Sequence, residues 1–304
     1  MQNDRNFIQD LQYRYQFGGM YMKLIFANAA VFIVIGLLSV ISHLAGPATE
    51  KPVMDLLNDL FTLDASFRGI LLKPWGLFTS MFAHFGLLHF LFNMLFLFMA
   101  GRMLEQFFGP KRLFYIYLTG GIIGGIFEVL AHELIPVMAG QRVVVVGASG
   151  AIMAIFIALA FYRPNMTVML FGLIAVPIIL LAGIFLLSNF LDLGANDGTA
   201  HFAHIGGALL GIVAAQHPQS PRNFVAVIER NLDKFWLKLK TLFKPKPKLT
   251  VSRGGVKKTD YEYNEEKKLR QQKTDAILDK ISKSGYESLS KAEKEFLFNQ
   301  SKNG

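Results

Sequence analysis

The chain has 304 residues, 52% of them apolar, and no cysteine. That excludes disulfide scaffolds, Cys-ligated zinc, iron–sulfur clusters and thiol catalysis. Residues 1–221 carry 11 basic and 11 acidic side chains and residues 222–304 carry 20 and 11, so the whole net charge of +9 lies in the C-terminal segment. A neutral apolar body with a basic extension suits a membrane protein whose tail faces anionic lipid, and nucleic-acid binding is the weaker reading.

Residues 1–21 are polar and read as a cytosolic N-terminal segment. The run from Leu24 to Leu44 is free of charge, as are Phe85 to Gly101 and Val168 to Leu191. Crossing a bilayer as helix takes about 20 apolar residues. Ala45-Gly46-Pro47-Ala48 faintly imitates a signal-cleavage site, but the run before it is long for a signal core, so an uncleaved span is expected. Six spans follow from the pattern, at 22–44, 83–101, 113–133, 148–163, 168–188 and 201–216.

Basic residues sort by loop. Arg5, Arg14 and Lys23 precede or open the first span, Arg102, Lys111 and Arg112 follow the second, and Arg163 follows the fourth. The opposite loops hold Arg142 alone after span three, and only Asp192 and Asp197 after span five. The positive-inside rule then places both termini in the cytosol. The first external loop, 45–82, is the exception, with Lys51, Arg68 and Lys73 against four carboxylates. Its apolar residues, among them Leu56, Leu60, Ile70 and Phe78, suggest segments lying in the interface with Trp75 at headgroup depth. The expected fold is an all-α polytopic membrane protein: a six-helix bundle over 22–216 and a tail over 217–304.

The tail opens with Phe224, Ile228, Leu232, Phe235, Leu239 and Leu242 at helical spacing, and with Arg230, Lys234, Lys238 and Lys240 on other faces. Residues 222–243 therefore read as a basic amphipathic helix for the anionic inner leaflet. Residues 244–264 read as a linker. Two short helices, 265–283 and 290–300, follow on either side of Gly285 and are available to an unknown cytosolic partner. Ser290 and Glu293 have the spacing of a capping box.

Polar groups inside spans are expensive and are functional suspects. Span two holds His84 and then His89 and Asn93, four apart and so on one helix face. Span four opens on Gly147-Ala148-Ser149-Gly150, and span six on His201-Phe202-Ala203-His204 with Gly207 beyond. Small residues four apart, at Gly120/Gly124, Gly121/Gly125 and Gly207/Gly211, let helices approach closely enough for these groups to meet. A serine becomes a nucleophile when a base, usually neutral histidine, takes its proton. Acyl transfer also needs donors for the developing oxyanion, which the Ser149 N–H, His89 and the Asn93 amide can supply. No carboxylate adjoins His204 in sequence, so a catalytic pair without an orienting acid is expected.

Each signal has a plainer reading. Ser149 alone reads as a serine bonded to its own helix, the His89/Asn93 pair alone as interhelical glue, and His84 and His201 as interfacial residues near span ends. A transporter would place carboxylates deep in several spans, whereas Glu128 and Glu133 lie towards the end of one. Three polar sites on three spans together favour chemistry.

These residues resemble the rhomboid intramembrane serine proteases. The likeness rests on His84 and His89-x-x-x-Asn93, on Gly147-x-Ser149-Gly150, on Ala203-His204-x-x-Gly207-x-x-x-Gly211, and on the six-span plan over about residues 20–216. It implies Ser149 as nucleophile, His204 as base, and His89, Asn93 and the Ser149 N–H as oxyanion donors, with no metal and no cofactor. It further implies a substrate that is itself a single-span membrane protein, cut in or near its membrane segment on the external side. Glu105 matches a polar position that the family uses to tie down loop one. Two departures stand out: Trp75 is followed by Gly76 where arginine is common, and Met153 replaces an aromatic ring that packs on the base. The resemblance also admits a non-catalytic, client-binding relative. Span five, nearly free of polar residues and weakened by Pro177, is the expected mobile wall, with substrate passing between spans two and five. No Arg-rich, Ser-rich leader is visible, so a bacterial cytoplasmic membrane is the expected location.

Overall fold

A computed structural model of the chain describes residues 6–138, 143–170, 173–193, 198–242 and 259–302. Its helices begin with α1 (Phe7–Phe17), α2 (Met20–Leu44) and α3 (Pro47–Phe61), followed by the short strand β1 (Leu63–Asp64). Helices α4 (Phe67–Leu72), α5 (Gly76–Thr79), α6 (Leu87–Phe96) and α7 (Arg102–Phe108) come next, with a π turn over Leu97–Gly101 joining the last two. Then come α8 (Pro110–Leu134), β2 (Val144–Val145), α9 (Ser149–Tyr162), β3 (Thr167–Leu170), β4 (Ile174–Pro177), α10 (Ile178–Leu191), α11 (His201–Ala215) and α12 (Phe224–Leu242). A separate C-terminal unit holds α13 (Asp260–Ser284) and α14 (Lys291–Lys302).

Among the described residues, three helical stretches are long and apolar enough to cross a membrane: Met20–Leu44, Leu87–Phe108 and Pro110–Leu134. Ser149–Tyr162, Ile178–Leu191 and His201–Ala215 are apolar but shorter. The sequence of α9 is apolar on every side, and every residue from Gly150 to Ala160 is buried, so it forms the core that the other helices surround. At 14 residues it is roughly 21 Å long, against roughly 37 Å for the 25 residues of α8. By contrast α2 presents Ile33, Val34, Leu37, Val40 and Ile41 outward, as a helix packed against lipid would.

Span five differs from the sequence expectation. Residues 168–170 and 174–177 are not helical: β3 and β4 form an antiparallel ladder pairing Thr167 with Pro177 and Leu170 with Ile174. β-Branched Val168, Ile174 and Val176 favour the strand, and Pro177 is tolerated at the strand end of a two-stranded sheet. The helix therefore starts at Ile178 and runs past 188 to Leu191. Span two likewise begins at Leu87 rather than 83, after an extended entrance.

Loop one is ordered by its own contacts. Trp75 donates its indole N–H to the Asp59 carbonyl at 2.9 Å, and Thr79 Oγ1 donates to the Leu60 carbonyl at 2.6 Å. Glu133 accepts from the Phe67 N–H at 2.7 Å. A side chain at Gly76 would place its Cβ 2.7 Å from the Thr62 carbonyl oxygen, which accounts for glycine after Trp75. Glu105 is a tether, but not of loop one. It accepts from the N–H groups of Met20 and Tyr21 at 2.9 and 3.0 Å, capping the start of α2, which has no capping side chain of its own.

On α12, the acidic side chains face the start of α8. Arg112 and Lys111 at the start of α8 pair with Glu229, and Lys111 also with Asp233. Phe235, Trp236 and Leu237 stay exposed. Most of the expected linker (244–258 of 244–264), residue 243 before it, and Arg142 and Asp197 lie outside the described residues. In the C-terminal unit the first helix starts at Asp260 rather than 265, because Thr259 and Glu262 form a capping box. The expected box at Ser290 and Glu293 is present, with Glu293 accepting from the Ser290 N–H at 2.7 Å.

Candidate active site

A cavity of about 700 Å³ is lined by His89 and Asn93 from α6, Ser149 from α9, and His201 and His204 from α11. A second, of about 320 Å³, shares Asn93, Ser149, His201 and His204 and adds Met153 and Asn189. The three motifs read from the sequence thus converge on one space.

Local structure explains each position. Ser149 is the first residue of α9, so its N–H has no intrahelical acceptor. The segment before it is held from loop one: Leu63 pairs with Val145, the Ala65 N–H donates to the Val143 carbonyl at 2.9 Å, and the Gly147 N–H to the Ser80 carbonyl at 2.9 Å. Gly147 has φ +116°, and a Cβ there would meet His89 Cε1 at 2.6 Å. Glycine is what lets the turn into Ser149 lie against the His89 ring. Asn93 donates to the His89 carbonyl at 2.8 Å, which engages one hydrogen of its amide and leaves a second.

The backbone of α11 packs directly on α9. A side chain at Gly207 would overlap the Gly150 carbonyl, and one at Gly211 would place its Cβ 2.6 Å from the Ala154 carbonyl oxygen. Ser149 precedes Gly150 and His204 precedes Gly207 by one turn, so this close approach sets the spacing of the pair.

Several participants were not anticipated. Glu128, 2% exposed, accepts from the Ala203 N–H at 2.9 Å and from His132 Nε2 at 3.1 Å. It satisfies a first-turn donor of α11 and pins the residue before His204 to α8. Asn189 on α10 accepts from His204 Nδ1 at 2.6 Å and His201 Nδ1 at 3.1 Å. A lone amide in an apolar helix was the available signal, since such a group is buried only with partners. His84 and His201 are not interfacial: they are 0% and 6% exposed. The Ala148 N–H donates to His84 Nε2 at 3.4 Å, immediately before the serine. Among the described residues no cluster of three or more His, Asp or Glu side chains has metal-site geometry.

The rhomboid domain profile matches residues 72–217, the part of the chain that carries every one of these groups. A family of unknown function (DUF6576) matches residues 257–303. RHOMBOID-like protein 12, mitochondrial, of Arabidopsis thaliana is 31% identical over 206 residues, covering 64% of this chain and 56% of that protein. Inactive RHOMBOID-like protein 8 of the same plant is 42% identical over 62 residues, 20% of this chain and 18% of its own. The chain spans about half the length of RHOMBOID-like protein 12 and of two other Arabidopsis relatives, RHOMBOID-like proteins 6 and 1. A candidate rhomboid protease of Bacillus subtilis, YdcA, is 30% identical over 142 residues, 47% of this chain and 68% of that protein. With the domain match and two thirds of a bacterial relative covered, the chain belongs to the rhomboid family of multi-pass membrane proteins.

Proposed function

We propose that the chain is an intramembrane serine endopeptidase that cleaves single-span membrane proteins in or near their membrane segment. The observation that carries this is the meeting of Ser149, His204, His89 and Asn93 on the wall of one cavity, from three helices. Ser149 Oγ attacks the scissile carbonyl while His204 takes its proton. The tetrahedral oxygen receives hydrogen bonds from the Ser149 N–H, the His89 ring and the free hydrogen of the Asn93 amide. His204 then protonates the leaving amine, which departs and leaves an acyl-Ser149. Water, deprotonated by His204, attacks the acyl carbon; the bond to Ser149 Oγ then breaks, the oxygen takes the proton back from His204, and the acid product leaves. Neither reacting group is missing, which favours activity over the inactive state named for one relative.

Six spans fit this reading, with the three short apolar helices shielded by longer neighbours. A serine at the head of a helix of roughly 21 Å then sits below the surface of a hydrocarbon layer about 30 Å thick. Both termini face the cytosol by the charge of their flanking loops. Substrate reaches the site between α6 and α10, where a cavity of about 440 Å³ is lined by Phe92, Phe96, Met99, Ile178, Leu181 and Phe185. The Phe96 and Phe185 rings close that seam edge to face at 5.4 Å. Helix α12 lies on the anionic leaflet: its carboxylates are engaged by Arg112 and Lys111, which leaves Lys234, Lys238 and Lys240 with Phe235 and Trp236 for lipid.

A fluorophosphonate, which reacts covalently with activated serines, tests the nucleophile. One adduct is expected, on Ser149, and it is expected to be lost in His204→Ala. Labelling of the wild type elsewhere, or not at all, contradicts the proposal.

A further inference from the structure

We propose that Asn189 is a positioning residue for His204, holding the ring in the one neutral tautomer that can serve as base; this rests on the Ser149/His204 reading above. Asn189 lies near the end of α10, a helix otherwise apolar apart from Ser188, and is 7% exposed. Burying a primary amide there costs several kcal/mol unless its hydrogen bonds are made. Both ends of the amide are engaged. Its Nδ2 donates to the Phe185 carbonyl one turn back at 2.8 Å, which fixes which way the amide points. Oδ1 is therefore turned towards α11, where His204 Nδ1 stands at 2.6 Å and His201 Nδ1 at 3.1 Å.

An amide oxygen carries no hydrogen, so in each contact the proton must sit on the ring nitrogen. His204 is thereby held with Nδ1 protonated, and in the neutral ring Nε2 becomes the acceptor. That is the state a general base needs before it can take the serine proton. The geometric role of orienting the ring at Nδ1 is filled here by a neutral amide on a different helix. An amide orients the ring as a carboxylate would, without adding a charge to the interior of the bundle. His201, 6.4 Å from His204 between ring centroids and nearly perpendicular to it, donates from its own Nδ1 to the same oxygen.

The test is made on the full chain in detergent, with ¹⁵N-labelled histidine and a fluorogenic membrane-segment substrate. Asn189→Leu removes the acceptor at similar volume, and Asn189→Asp keeps an oxygen at the same reach. Wild-type His204 is expected to show the ¹⁵N pattern of a ring protonated at Nδ1. In Asn189→Leu that pattern is expected to become mixed, with kcat falling about ten- to hundredfold and KM within about twofold. Asn189→Asp is expected to restore the tautomer and most of kcat. An unchanged tautomer in Asn189→Leu overturns the proposal, as does wild-type kcat or a loss confined to KM or to folded yield. So does an Asn189→Asp protein as mixed and as slow as the leucine variant. Ser149→Ala and His204→Ala run beside them: full cleavage in either removes the protease reading itself, while the tautomer measurement still decides what Asn189 does.

Discussion

The carbonyl of Gly150 rests on the Cα of Gly207, with no room for a methyl group between α9 and α11. That contact, one residue after the serine and three after the histidine, is what brings the two side chains to one cavity. Gly207→Ala must push the helices apart by several tenths of an ångström or more, at a cost of about 1–3 kcal/mol. The expected outcome is a protein that keeps its helix content by circular dichroism, melts lower, and cleaves at least about a hundredfold more slowly, since small misplacements of reacting groups are costly. Near-wild-type turnover in Gly207→Ala would show that the spacing of the pair is set elsewhere.

The seam between α6 and α10 should gate large substrates but not small reagents. A disulfide joining the two helices is expected to abolish cleavage of a membrane-embedded substrate and to leave fluorophosphonate labelling of Ser149 unchanged. Reduction should restore cleavage. Undiminished cleavage in the oxidised protein would place substrate access on another side of the bundle.

Much of the candidate site, as the residues that share one cavity, was legible in the sequence, and the reason is spacing. His89 and Asn93 stand four apart and so share a helix face, and Ser149 sits where glycines allow a sharp turn into a helix. His204 sits one turn before a glycine that packs on that turn. What was not legible depends on partners distant in sequence. Glu128 reads as a carboxylate near a span end until the Ala203 N–H, 75 residues on, is placed beside it. Asn189 falls one residue beyond the expected boundary of span five and looks like a helix-end amide until both histidines meet it. The hairpin of β3 and β4 was hidden because a short apolar run has no period that separates buried strand from helix. Glu105 was expected to tie down loop one, and its carboxylate meets the Met20 and Tyr21 N–H groups; a capping carboxylate needs only N–H groups, which every residue but proline offers.

In the C-terminal unit, the Ser290 N–H and the Lys280 ammonium hold the exposed Glu293 carboxyl well below the usual range, at about 2 instead of 4.5. A lowered folded value means that the charged form is favoured by folding. Its contribution to the start of α14 is therefore present above about pH 4.5 and is lost as pH falls towards 2. A ¹³C carboxyl titration of Glu293 should show this low midpoint. Ser290→Ala, which removes the hydroxyl from the box, should move it upward. A midpoint near 4.5 in the wild type would mean that the box does not persist in solution.

Helix α12 should follow anionic lipid. In a Trp75→Phe background, Trp236 fluorescence is expected to be quenched more strongly by brominated phosphatidylglycerol than by brominated phosphatidylcholine. The difference should shrink at high salt, and again when Lys234, Lys238 and Lys240 are replaced by glutamine. Equal quenching by both lipids at low salt would leave the helix as a protein-packed strut and no lipid sensor.

The most direct measurement is cleavage of a single-span reporter by the purified chain in liposomes, with Ser149→Ala and His204→Ala reconstituted alongside. A Ser149/His204 protease gives two fragments with the wild type and none with either variant, over a panel of different membrane segments. Cleavage that survives Ser149→Ala contradicts the assignment of the nucleophile. A folded wild type as inert as both variants across the panel contradicts the proposed activity and leaves a rhomboid that binds membrane proteins without cutting them.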